Sequence, residues 1–178
     1  MTLAETLLAV LILLMVSSIV ATGIPVAQNA YEKVILSSNA EMLLSTSLTA
    51  LRGELSTAKH IRPNSSSRAT SIEFVRAEDS LKYTLKNYTT EESNTPEGIY
   101  IFYNATDGDA TTYSRRLVSK ASSTAASHGD LYVTFDYVNI STSGNSKYLT
   151  FHNIQVKHHG SDKSLTSVDD YSVRIIAD

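Results

Sequence analysis

The first 31 residues set the strongest limit on what this chain can fold into. Residues 7–16 form an unbroken apolar run, no residue between Thr6 and Tyr31 is charged, and Glu5 is the only charge in the stretch. As a helix, residues 7–27 are long enough to span roughly 30 Å of hydrocarbon. A carboxylate at the end of such a span costs up to a few kcal/mol unless something compensates it, so Glu5 needs a partner. An ordinary secretory signal places a basic segment ahead of a shorter apolar one, with a small-residue cleavage site behind it. Residues 1–6 contain no Lys or Arg, and nothing near the run orients it by flanking positive charge. The expectation is that a basic leader preceded Met1 and was removed.

The remaining composition narrows the class. A chain of 178 residues with 42% hydrophobic and 19% charged residues suits one compact domain plus an appendage. A net charge of −3 gives no electrostatic case for a nucleic-acid partner. The basic clusters Arg115-Arg116 and Lys157-His158-His159 are too small to reverse that. Without cysteine, disulfides, thiolate metal sites and cysteine nucleophiles are all excluded.

Behind the apolar run, Leu36, Ala40, Leu44, Leu48, Leu51, Leu55 and Ala58 recur at intervals of 3 and 4, which keeps them on one helix face. The pattern predicts one helix over about residues 2–58, roughly 85 Å long at 1.5 Å per residue, apolar all round in its first half and amphipathic in its second. A coiled coil is the competing reading of the stripe, but the heptad run is short for one. Arg62-Pro63-Asn64 and the serines after it predict a helix stop near His60. Beyond it the chain reads as strand and turn. Residues 71–76 and 81–86 alternate around Ala77-Glu78-Asp79-Ser80, and residues 99–104 and 112–118 flank Asp107-Gly108-Asp109. Residues 131–140 and 147–157 flank Ser143-Gly144-Asn145, and residues 171–176 form a last strand. Leu131, Val133, Phe135 and Tyr137 give the clearest period-2 face. The fold class expected is α+β: a long N-terminal helix, with its C-terminal half packed on an antiparallel β head. Its parts are 1–30 (apolar helix), 31–60 (amphipathic continuation) and 61–178 (head).

The run Met1-Thr2-Leu3-Ala4-Glu5-Thr6-Leu7-Leu8-Ala9-Val10-Leu11-Ile12 resembles the mature N-terminus of type IV pilins and their relatives, in which a short basic leader is cut off just before an apolar helix carrying glutamate at its fifth position. The α+β head is also the architecture pilins share. The resemblance implies processing by a prepilin peptidase and methylation of the new N-terminal amine, here on Met1 where phenylalanine is usual. It further implies that Met1, Thr2 and Glu5 serve assembly, the Glu5 carboxylate attracting the amine of Met1 in a neighbouring subunit. Such a pair is far stronger in a low-dielectric bundle than in water and offsets its desolvation only if both charges meet. The competing reading of Glu5 is a cap on the first helical turn or a place in the headgroup layer. The cysteine pair that closes a C-terminal loop in many Gram-negative pilins is missing here.

Gly23-Ile24-Pro25 marks the weakest part of the helix, because Pro25 has no amide hydrogen for the carbonyl of Ala21 and glycine lowers helix stability by roughly 1 kcal/mol relative to alanine. In the pilins that the chain resembles, a proline placed a little earlier accompanies a segment that loses helix on assembly. The resemblance therefore implies melting over about residues 16–25, with a modest kink as the alternative.

Signals for chemistry are weak. Asp107-Gly108-Asp109, with Asn104, offers oxygen ligands for Ca²⁺, but the six to eight oxygens required are not visible, and a solvated turn is expected. His158 and His159 cannot point to the same side of a strand. No G-x-S-x-G, H-E-x-x-H or phosphate-binding glycine loop occurs, so no catalysis, metal or cofactor is expected. Asn64, Asn87, Asn104 and Asn139 begin Asn-x-Ser/Thr triplets, which arise by chance in a Ser/Thr-rich chain. The polar segments 119–129 and 160–170 read as surface loops, or as an exposed, variable filament face. Three functional readings stand. The first is a filament subunit partnered by copies of itself, by the cytoplasmic membrane before assembly, and by the peptidase and assembly machinery. The second is a minor pilin or pseudopilin of a secretion or DNA-uptake machine. The third is a membrane-anchored extracytoplasmic binding domain with Glu5 incidental.

Overall fold

The computed structural model describes residues 2–65, 68–88, 97–104, 112–118, 131–143, 146–159, 161 and 163–175. One helix, α1, runs Leu3–Ser56 without interruption, through Pro25. The chain divides into two units, residues 1–38 and 39–178. The first unit is helix throughout its described length after Thr2. Among the described residues the second holds the rest of α1 and nine strands: β1 Ala58–Pro63, β2 Ser71–Arg76, β3 Lys82–Tyr88, β4 Gly98–Asn104, β5 Thr112–Arg116, β6 Leu131–Thr134, β7 Tyr137–Ser143, β8 Ser146–His158 and β9 Ser164–Ile175. The α+β class expected from the sequence is what the structure shows.

Within the second unit, α1 buries Ala40, Leu43, Leu44, Ser47, Leu51 and Leu55. The stripe is thus centred slightly off the expected one: Leu36 and Leu48 are only half-buried, and Leu43 and Ser47 take their places. Ser47 is tolerated in this face because its hydroxyl donates to the Leu43 carbonyl at 2.7 Å, which satisfies a polar group that burial would otherwise penalise. Polar bonds tie the helix to the strands. Tyr171 Oη donates to the Leu48 carbonyl at 3.1 Å, and the Glu54 carboxylate receives both Arg76 and Arg115.

The helix ends sooner than the sequence suggested. Residues 58–60, expected to be helical, open β1, an edge strand whose last residue is Pro63. A proline without an N–H suits the edge of a sheet as well as the end of a helix. The single sheet expected resolves into two. The first is a meander in the order β1-β2-β3-β4-β5, antiparallel throughout. In the second, β8 is central, with β9 along one edge and β6 and β7 following one another in a single register along the other. Residues 131–140, read as one strand, are therefore continuous in register but interrupted at Phe135 and Asp136. Asn153, opposite this break, adopts φ 52°. The buried set on β8 slips there from Leu149 and Phe151 to Ile154 and Val156, as an irregular residue in a strand requires. Strand β9 begins at Ser164, so residues 164–170 are strand where a loop was expected. Segment 119–129 and the Asp107-Gly108-Asp109 turn lie outside the described residues.

The two sheets meet through backbone and side-chain bonds. Ala69 and Val138 exchange hydrogen bonds of 3.3 and 2.8 Å. Asn87 donates its amide to the Phe135 carbonyl at 2.5 Å and accepts from Thr134 Oγ1 at 3.0 Å.

The β2–β3 turn carries a small electrostatic network. Asp79 accepts from the Tyr83 hydroxyl and from the Leu81 amide, and these bonds, the first above all, hold its pKa below the ordinary carboxylate value. Burial, with the bond to Asp79, pushes the Tyr83 hydroxyl up. The Arg76 guanidinium lies over the Tyr83 ring at 4.4 Å; burial opposes its charge, but the hydrogen bond and charge of Glu54 outweigh that and raise its pKa. A carboxylate whose pKa is depressed on folding stabilises above its unfolded value of about 3.9, and that contribution is lost as pH falls through the folded value. Chemical denaturation should therefore find Asp79→Asn less stable than the parent near neutral pH, with the gap closing as pH falls below the unfolded value and through the folded one. A gap independent of pH would contradict this account of Asp79.

Candidate assembly surface

Over residues 3–26 the helix of the first unit has apolar residues on every face. From Leu3 to Val26 the large hydrophobic residues are all exposed, from 51% for Val20 to 81% for Leu3. The helix is long and apolar enough to cross a membrane, and none of its most apolar window is buried within the chain. Leaving fourteen such side chains in water would forfeit on the order of 20–40 kcal/mol of hydrophobic stabilisation. Among the described residues nothing covers this segment.

Glu5 lies at the start of the helix, and Thr2 immediately precedes it. The Thr2 amide donates to Glu5 Oε2 at 2.8 Å, while the Glu5 amide donates to the Thr2 carbonyl at 3.0 Å. This arrangement follows from the spacing Thr-x-x-Glu, in which an acidic residue at the third helical position reaches back to an otherwise unpaired amide of the first turn. Within one chain Glu5 therefore acts as a helix cap, the competing reading of the sequence. One carboxylate oxygen is occupied by that bond, and Oε1 has no partner among the described residues. Met1, the other half of the expected ion pair, lies outside them.

At the sequence-weak point the helix continues. Pro25 leaves the Ala21 carbonyl without its usual donor, and Gly23 has open space around it, with nothing within 4 Å of where a Cβ would sit. Thr22 Oγ1 donates to the carbonyls of Ser18 and Ile19, both at 3.1 Å. The segment thus carries local polar groups able to serve carbonyls that the helix releases.

The other sequence candidates are dispersed. His158 Nδ1 lies 2.8 Å from the His159 carbonyl, and His159 Nδ1 lies 2.8 Å from Glu97 Oε2, so the two imidazoles serve different contacts. Among the described residues no three of His, Asp and Glu converge as a metal site would require. Asp107 and Asp109 lie outside the described residues, as does the Asn104 side chain. Asn64 is exposed but its Oδ1 is bound by the Thr70 amide at 3.1 Å, and Asn139 Nδ2 lies 3.4 Å from His152 Nε2. No family model, curated protein or solved structure matches the chain.

Proposed function

We propose that this chain is a structural subunit of a type IV pilus-like extracellular filament, held in the cytoplasmic membrane by residues 3–26 before assembly and polymerised through the same segment afterwards. The observation that carries the reading is that one helix joins an entirely exposed apolar half with Glu5 at its start to a second half built into a β head. Copies of the chain can cover one another's apolar halves, with Glu5 trading its own Thr2 amide for the amine of a neighbour's Met1. The chain then acts by assembling, and the work of extraction from the membrane falls to an assembly machine. Shearing cells and imaging the released material tests this. Filaments containing the protein, with a methylated amine on Met1 by mass spectrometry, are expected. A protein that stays in the membrane fraction while forming no filaments would instead be an anchored domain.

The weak helix around Pro25 gives a second expected outcome. Residues 16–25 lose helical structure in the filament, with helix on both sides, because packing against neighbours can repay the released backbone bonds while Ser17, Ser18 and Thr22 satisfy carbonyls locally. Filament density that is continuously helical from Leu7 to Leu55 would leave only a kink.

A further inference from the structure

The solvent face of the first sheet contains an open cleft of about 680 Å³ across β1–β4, bordered by Arg62, Glu73, Val75, Lys82, Thr84 and Phe102. That volume is within the range of small-ligand sites. Its lining follows from the register. Arg62 is opposite Glu73, Glu73 opposite Thr84, and Thr84 opposite Phe102, so these four side chains form one row on one face. Lys59, Val75 and Lys82 form the next row. Lys59 and Arg62, three residues apart, would normally point to opposite faces. The irregularity between them, with His60 at φ 50°, turns both to the same side. On the opposite face Ile72, Leu85 and Ile101 are buried, and Phe74 and Tyr83, also buried, border the cleft between the exposed rows.

The side chains of Lys59, Arg62, Glu73 and Lys82 are exposed and make no ion pair or side-chain hydrogen bond among the described residues. Phe102, half-buried, is held by Tyr88 and Tyr100 at centroid distances of 6.1 and 6.3 Å. We propose that this cleft binds an anionic, uronate-bearing glycan. The Phe102 ring offers an apolar surface to the C–H face of a sugar, Glu73 and Thr84 accept and donate to its hydroxyls, and Arg62 with Lys82 receives the uronate carboxylate. DNA phosphodiester chains fit less well, because their backbone carries no hydroxyl to donate to the Glu73 carboxylate at the centre of the row. The site belongs to the head and does not depend on whether the chain polymerises.

The test is a calorimetric titration of the full chain in detergent with a galacturonate hexasaccharide, compared with a neutral hexasaccharide, a polyglutamate peptide and oligo-dT. Saturable binding of the galacturonate is expected, with the other three at least about tenfold weaker, a gap of roughly 1.4 kcal/mol. Arg62→Ala and Lys82→Ala, both at exposed positions, should weaken it, as should Phe102→Ala in a preparation whose thermal unfolding shows a folded head. Glu73→Ala compared with Glu73→Gln separates recognition from attraction. Both remove the negative charge, but only alanine removes the hydrogen-bonding group, so a glycan site binds about tenfold less in Glu73→Ala than in Glu73→Gln, whereas attraction of any polyanion to a basic face is the same for the two. No binding of the galacturonate, equal binding of polyglutamate or oligo-dT, or equal binding by Glu73→Ala and Glu73→Gln would each overturn the proposal.

Discussion

Glu5→Leu is expected to reduce filament yield by two orders of magnitude or more, while the protein remains in the membrane and its head remains folded. The carboxylate is in the first unit and the head's core in the second, so the substitution removes no head contact. In an assembled bundle it leaves the neighbour's Met1 amine buried without its counter-charge. Breaking a buried pair in this way costs about 3–5 kcal/mol, and each 1.4 kcal/mol is about tenfold in an equilibrium. Losing the cap on Thr2 is a smaller effect, typically about 1 kcal/mol. Glu5→Gln distinguishes the two roles, because glutamine also serves in a capping box but carries no charge. Filament counts in sheared fractions should be nearly as low for Glu5→Gln as for Glu5→Leu, and intermediate for Glu5→Asp, whose reach is shorter. Normal piliation in Glu5→Gln would reduce Glu5 to the cap seen within one chain.

The second large effect is in the head. Phe151 has no exposed surface, and its ring meets Phe135 edge-on at 5.2 Å. It lies on β8, which pairs with β6, β7 and β9, so a cavity there loosens the junction of β7, β8 and β9. Phe151→Ala should cost about 3–5 kcal/mol, a large part of the 5–15 kcal/mol typical of a folded domain. The thermal midpoint of the full chain in detergent should fall by roughly 6–20 °C. Lys147→Ala, at an exposed position on the same strand, should change stability by no more than about 0.5 kcal/mol. Equal shifts for the two variants would contradict the placing of the core.

Much of this architecture is legible in the sequence because burial imposes periods. The uncharged run before Tyr31, the 3–4 spacing from Leu36 to Leu55 and the alternation at residues 71–76 each report a surface that must leave water, and all three correspond to structure. Misreadings fall where local signals are shared between states. Ala58 continues the helical stripe by spacing, and Pro63 ends a helix or an edge strand equally well, so β1 was hidden inside the expected helix. Residues 164–170 are too polar to read as strand, yet β8 supplies a ladder partner for each of Ser164, Thr166, Ser167 and Val168. Long-range pairing outweighs composition there. The cleft on the first sheet was invisible for the same reason: without β1, Arg62 has no place beside Glu73, and no motif links residues 62, 73, 84 and 102. At the N-terminus the Thr-x-x-Glu spacing announces the cap, whereas the intersubunit pair belongs to an assembly that one chain does not contain.

Helical reconstruction of filaments sheared from cells is the most direct measurement of the central claim. The account predicts a filament whose subunits are this chain, with residues 3–26 packed at its axis, away from solvent, and the Glu5 carboxylate within ion-pairing distance, about 4 Å, of a neighbouring Met1 amine. Filaments that lack the chain, or that carry it with this apolar segment on the outside, would contradict it.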